Sequence, residues 1–191
     1  HMTSQPFDRY SRIWVERGPN RIGKVYRKAV YREYTDGTFT KLMPRAPEWQ
    51  HLGILGPLLR AEVGDTIHVV FKNNATRPYT MHPHGVFYTK SSEGAPYADG
   101  TSGADKKDDG VPPGETHTYV WHVPERAGPG PNDPSSVVWL YHSHKHEPKD
   151  VNAGLVGAII VTARGAANLD GAPKDVEREY VTLFMVFDEN Q

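Results

Sequence analysis

A chain of 191 residues is long enough for one domain with a sizeable core, so no metal or disulfide staple is needed merely to fold. Its 22 Lys and Arg against 23 Asp and Glu leave a formal net charge of -1, which removes the electrostatic case for binding nucleic acid. The complete lack of cysteine excludes a disulfide scaffold, a Cys-based zinc site, a thiol nucleophile and any thiolate-ligated copper built by this chain alone.

With 18 Gly and 16 Pro, the chain is punctuated too often for a helical bundle. No stretch approaches the roughly 18 to 20 apolar residues of a membrane span. His1-Met2 reads as a cloning remnant, so residues 1–2 are set apart from a single domain over 3–191 and His1 is not counted as functional.

In chain order, Thr3 to Gly23 is polar and irregular apart from Ile13-Trp14-Val15. Lys24 to Tyr34 is rich in aromatic and β-branched residues and leads to Asp36-Gly37, which predicts strand, turn, strand. Met43 to Trp49, with Pro44 and Pro47, reads as a loop. Leu52 to Leu59 is interrupted by Gly53, Gly56 and Pro57, so no helix is expected there. From Val63 to Asn73, Ile67, Val69 and Phe71 alternate with Thr66, His68 and Lys72, the period of a half-buried strand.

The polar stretch Ser91 to Gly114 is too long for a hairpin loop, and loops of this length are usually functional or tied down. Glu115 to Val123 alternates again, with Tyr119, Trp121 and Val123 on one face. Ala127 to Ser136 is a Pro/Gly loop. Val137 to Tyr141, Leu155 to Ala163 and Glu179 to Phe187 are apolar runs bounded by turn residues, which fit buried sandwich strands. The expectation is an all-β sandwich of roughly seven or eight strands. Asp188 to Gln191 follow a strand directly, which reads as a cut at a domain boundary.

Four of the ten histidines form two i, i+2 pairs, His82-Pro83-His84-Gly85 and His142-Ser143-His144. On an extended chain both members of a pair point to one face, about 6.5 to 7 Å apart. That is long for two imidazoles to share one metal at bonds of about 2 Å, and it suits two neighbouring metals. Two such pairs on adjacent strands bring four imidazoles to one edge of the sandwich. An all-nitrogen site favours copper or zinc over magnesium or calcium. Pro83 argues for a strand end or edge, and Gly85 admits close approach of another group. A lone histidine is ordinarily solvated or hydrogen-bonded, and His51, His68, His117, His122 and His146 are read that way.

The sequence resembles the first cupredoxin domain of ceruloplasmin-type multicopper oxidases, a group that includes hephaestin and the A domains of coagulation factors V and VIII. The likeness runs from about Lys24 to Asn190. It rests on His51-Leu52-Gly53, Leu55-Gly56-Pro57, Ala61-Glu62-Val63-Gly64-Asp65, Arg77-Pro78-Tyr79-Thr80, the two histidine pairs, Glu93-Gly94-Ala95, Asp108-Asp109, Pro113-Gly114-Glu115, Pro148-Lys149-Asp150 and Gly154-Leu155-Val156-Gly157.

The resemblance implies a cupredoxin-like Greek-key sandwich that supplies half of a trinuclear copper cluster. His82 would serve the type 2 copper, and His84, His142 and His144 the type 3 pair. A second cupredoxin domain, in the same chain or another subunit, would supply four further histidines and the type 1 copper. The complete enzyme would be an oxidoreductase that reduces dioxygen to water and oxidises a metal ion (ferroxidase) or a phenol (laccase). This chain, with Ser143 between its second pair, has no electron-entry copper of its own. The resemblance further implies calcium in the long loop, through the carboxylates of Asp108 and Asp109 and the carbonyls of Lys90 and Glu93. It also implies an extracellular or periplasmic location.

Three other readings fit fewer of these residues. One is a homo-oligomer in which two copies oppose their histidine quartets about a two-fold axis. Another is a non-catalytic assembly module, which has no use for two converging imidazole pairs. The last is a mononuclear cupin-type site, for which Glu93 lies too far beyond His84.

Overall fold

Period-two alternation builds the core. The computed structural model describes residues 8–188, and the tag remnant lies outside them. The strands are β1 (Leu59–Glu62), β2 (Thr66–Lys72), β3 (His82–Pro83), β4 (Thr116–His122), β5 (Ser136–His142) and β6 (Val156–Thr162), with two short helices, α1 (Arg9–Val15) and α2 (Glu147–Ala153). β2 and β4 pair antiparallel, with Ile67 opposite Trp121 and Val69 opposite Tyr119. The second sheet runs β1-β6-β5-β3, parallel between β1 and β6 and antiparallel elsewhere.

Between the sheets lie Tyr119 and Trp121 of β4, Tyr141 of β5 and Ile159 and Val161 of β6, none with any exposed surface. Each such side chain contributes about 1.5–3 kcal/mol by leaving water. The all-β sandwich expected from the patterning is the architecture that forms, with six strands among the described residues where seven or eight were expected. Among the described residues, no helix is long and apolar enough to cross a membrane.

Three expectations need correction. Lys24 to Tyr34 runs extended but forms no strand, because no neighbouring strand lies beside it. Its turn is present: Asp36 accepts from the Thr38 backbone and hydroxyl, and Tyr34 bridges Leu42. Tyr31 reaches into the core and donates to the Thr80 carbonyl at 2.5 Å. Glu179 to Phe187 likewise forms no strand and lies mostly exposed on the surface. β1 was not anticipated. Its outward Arg60 and Glu62 make it look polar, and only its place beside β6 makes it a strand.

Both helices fall where irregular chain was expected. Asp8 caps α1, accepting from the backbone N–H groups of Tyr10 and Ser11. α2 carries Pro148 in its first turn and ends on Gly154 in the left-handed conformation, a start and stop pair suited to a helix too short for visible periodicity.

Candidate metal centre

The register of β3 against β5 assembles the site. β3 pairs β5 with His82 opposite His142, and the chain continues as a ladder when His84 N–H donates to the Leu140 carbonyl at 2.8 Å. β3 is the edge of its sheet, where Pro83 forfeits no ladder bond. Gly85 then turns with φ +79°, and the Trp139 ring fills the place of its missing side chain. A Cβ there would lie 2.2 Å from the indole.

The four imidazoles expected to converge do so. Ring centroids are 5.5 Å apart within each pair (His82–His84 and His142–His144), 5.0 Å for His82–His144 and 5.1 Å for His84–His142. One potential ligand atom from each of His82, His84 and His142 lies within 4.8 Å of the other two. The shortest approach is between strands, with His84 Nε2 and His142 Nε2 3.0 Å apart. Two nitrogens that close can bind one ion at bonds of about 2 Å. Any ion shared by two imidazoles would therefore sit across the strands and not within a His-x-His pair.

Backbone carbonyls set two of the tautomers. His82 Nδ1 is 2.6 Å from the Glu93 carbonyl and His142 Nδ1 is 3.1 Å from the Ser143 carbonyl. A carbonyl only accepts, so both Nδ1 atoms carry protons and both Nε2 lone pairs remain for a metal. Burial lowers His82 to about 4, only partly offset by the Glu93 bond, and the neighbouring imidazoles lower it further. Burial also lowers His84 and His142. Neutral imidazoles with no thiolate fit copper.

Local spacing did not identify two further neighbours. Glu147 lies 3.3 Å from His144 Nε2 and 3.8 Å from His142 Nε2. The Tyr97 hydroxyl is 3.4 Å from His144 Nε2. Glu147 had a faint signal, three residues beyond His144 at the start of α2, whereas Tyr97 arrives from the long loop and had none.

Behind the imidazoles a buried polar network holds the second pair. Ser143 donates to Asp150 Oδ2 at 2.6 Å and accepts from Thr80 N–H at 3.1 Å. The Thr80 hydroxyl accepts from His144 N–H, and Asp150 Oδ2 also accepts from His146 N–H. Period-two alternation explains the arrangement: the histidines face the cluster and Ser143 faces the interior.

The loop residues Lys90, Glu93 and Asp109 meet through side chains. Lys90 Nζ lies 2.9 Å from Glu93 Oε2, 3.2 Å from Asp109 Oδ1 and 3.3 Å from Asp99 Oδ2, and donates to the Ala95 carbonyl at 2.9 Å. Burial would lower this ammonium, but the bonds to Glu93, Asp109 and Asp99 outweigh it and raise the pKa. Lys106 joins Asp109 and Asp99 from the other side. Asp108 stands apart and fully buried. One oxygen accepts from Gly94 N–H at 2.7 Å, the other has no partner, and burial raises its pKa.

Of the remaining histidines, His51 donates to the Glu48 carbonyl, His117 lies 2.9 Å from the Ser91 carbonyl and His122 3.1 Å from the Thr66 hydroxyl. His146 precedes α2 as its N-cap residue without capping it through its side chain.

The chain is 54% identical over 96% of its length to "Ferroxidase HEPHL1" of Homo sapiens, covering 16% of that protein. It is 45% identical over 95% of its length to "Ceruloplasmin" of Ovis aries, covering 17% of that protein. It thus spans about a sixth of the length of these relatives. A solved structure titled "Multicopper Oxidase mgLAC" matches 60% of this chain and 31% of its own, at 27% identity and a TM-score of 0.45. The family described as "Multicopper oxidase" matches residues 51–166, the span that holds both histidine pairs and all six strands described above, and the chain belongs to that family.

Proposed function

We propose that this chain is the copper-binding cupredoxin domain that contributes His82, His84, His142 and His144 to a type 2/type 3 trinuclear site. The convergence of four imidazoles around the in-register pair His82 and His142 carries this reading. The 3.0 Å between His84 and His142 supports one copper between them, with His82 serving a type 2 ion and His144 the other type 3 ion. Copper bound there supplies one-electron redox chemistry, through which dioxygen takes up four electrons and four protons to give two waters.

The chain's own residues hold the site for that chemistry. The Glu93 and Ser143 carbonyls orient His82 and His142, while Glu147 stands beside His142 and His144 as a carboxylate able to hold a proton. A second cupredoxin domain completes the cluster and brings the type 1 copper, since this chain has no cysteine. The reductant is a metal ion or a phenol. Resemblance to ferroxidases favours the metal ion and an extracellular setting. The unpartnered Asp108 oxygen beside Asp109 supports calcium in the acidic loop. The Lys90 ammonium competes with it for the Asp109 and Glu93 carboxylates.

Copper per chain after loading and removal of loose metal tests the site. At least one tightly held copper is expected, falling to near zero in the His142→Ala/His144→Ala double variant. Retention of copper by that folded variant would sink the assignment.

A further inference from the structure

We propose that Glu147 is a fifth copper ligand from this chain, an oxygen donor that reaches both the ion shared by His84 and His142 and the ion on His144. The inference rests on the reading of the four histidines as copper ligands. The two oxygens of the carboxylate face different rings: Oε2 lies 3.3 Å from His144 Nε2 and Oε1 lies 3.8 Å from His142 Nε2. Donor atoms on one four-coordinate ion, at bonds of about 2 Å, stand about 2.8–3.3 Å apart. His84 and His142, at 3.0 Å, have that spacing, and so do Glu147 and His144. The longer approach to His142 is one that a small rotation of this half-exposed side chain closes.

Hydrogen bonding does not account for the approach. His142 Nδ1 carries its proton toward the Ser143 carbonyl, so in the neutral ring Nε2 presents a lone pair. An ionised carboxylate only accepts. Two acceptors therefore face one another, an arrangement that a cation between them relieves. His144 Nε2 has the Tyr97 hydroxyl as its hydrogen-bond partner, not the carboxylate. Among the described residues, no Lys or Arg forms an ion pair with Glu147 that would hold its charge elsewhere.

The backbone presents the residue in a fixed place. Asp150 accepts from the Ser143 hydroxyl at 2.6 Å and from His146 N–H at 3.0 Å, and its own N–H donates to the His146 carbonyl at 2.9 Å. Residues 143–150 are thus tied into a closed turn within which His144 and Glu147 meet. A carboxylate is a hard donor, whereas copper(I) prefers soft ones. Glu147 accordingly favours copper(II), and its charge offsets that of the metal in a cluster whose other ligands are neutral imidazoles.

Copper(II) and copper(I) affinities, each measured by competition with a chelator, test the assignment. Glu147→Gln, similar in shape but uncharged, is expected to weaken copper(II) binding about tenfold or more and to change copper(I) binding less than about threefold. Glu147→Asp keeps the charge but is one methylene shorter, and it is expected to lose copper(II) affinity in the same way because its oxygens no longer reach. Unchanged copper(II) affinity in Glu147→Gln would overturn the inference. So would a Glu147→Asp chain that binds like the original, since a charge near the site would then suffice, or an equal loss for both oxidation states. The His142→Ala/His144→Ala variant separates this inference from the reading beneath it. If that variant loses copper while Glu147→Gln holds it as tightly as the original chain, Glu147 is not a ligand and the histidine assignment stands. If the double variant keeps copper, or the original chain holds none, both fall.

Discussion

His82 Nδ1 donates to the Glu93 carbonyl at 2.6 Å, while the Glu93 carboxylate is held 2.9 Å from Lys90 Nζ. A residue of the acidic loop therefore fixes the tautomer of an imidazole in the four-histidine cluster. Outer partners of this kind orient metal-binding histidines and set their basicity.

Replacing Lys90 by Met removes the cation that gathers Glu93, Asp99 and Asp109. Three carboxylates then face one another with Lys106 as the remaining ammonium in contact with two of them. The loop should loosen, taking the Glu93 carbonyl from its position. We expect copper affinity to fall about tenfold, the lower end for lost outer-shell partners. Competition with a copper chelator measures this. Unchanged affinity would mean that the loop does not position His82. Calcium should bind more readily in the same variant, read as a larger rise in Tm on its addition.

Acid should destabilise the metal-free protein before its carboxylates titrate. Burial holds His82 at about 4 in the folded chain, against an ordinary 6.5. As pH falls through 6.5 the unfolded chain takes a proton that the folded chain refuses, so stability is full above 6.5 and declines toward 4. His84 and His142 are lowered in the same direction by burial. The His82 contribution is about 2 kcal/mol, less than the full shift because some solvent contact remains. Tm should drop between pH 7 and pH 5, with a shallower drop in His82→Gln. An equal drop in both proteins would remove His82 as the cause.

How much of this was legible in the sequence depended on how local each signal was. The buried face of β4 could be read directly, because Tyr119 and Trp121 fall two apart with Thr118 and His122 outside them, and the period of two places both on one face. Both histidine pairs were visible through spacing alone, and their convergence needed only that the two strands be adjacent. β1 was hidden because Arg60 faces Glu179, a partner 119 residues away, and its strand character comes from β6. Residues 24–34 and 179–187 have strand composition without strand neighbours, and composition cannot supply an edge to pair with. In the charge run ending in Asp108-Asp109, Asp108 is fully buried and Lys90 lies among the carboxylates, neither of which spacing along the chain reveals. Only the folded loop brings Asp99 to that ammonium.

Gly85 is expected to tolerate no side chain. Its φ of +79° disfavours any L-residue, and a Cβ would enter the Trp139 ring at 2.2 Å. Trp139 cannot withdraw freely, since its Nε1–H donates to the Ala127 carbonyl at 2.7 Å. Gly85→Ala should therefore cost about 2–4 kcal/mol, from backbone strain and overpacking together. It should also move His84, the residue before it, and lower copper stoichiometry. Chemical denaturation measures the first effect and metal analysis the second. A loss below about 0.5 kcal/mol would show that the turn can rearrange.

Ser143 sits between His142 and His144, whose rings face the cluster, while its own side chain points the other way, to Asp150 and Thr80. Ser143→Ala leaves one Asp150 oxygen short of a donor and Thr80 N–H without its acceptor, both buried, a loss of about 1–3 kcal/mol. Ser143→Cys tests the geometry more sharply. The thiol would enter the same interior pocket, where its neighbours are an Asp, a Thr and the Tyr31 ring, with no second or third ligand of the kind a copper–thiolate centre needs. The variant should thus lose stability as Ser143→Ala does and, after copper loading, show no intense visible thiolate-to-copper absorption. Appearance of that band would mean that the strand can rotate Ser143 toward the imidazoles, and the alternation on which the whole site rests would have to be abandoned.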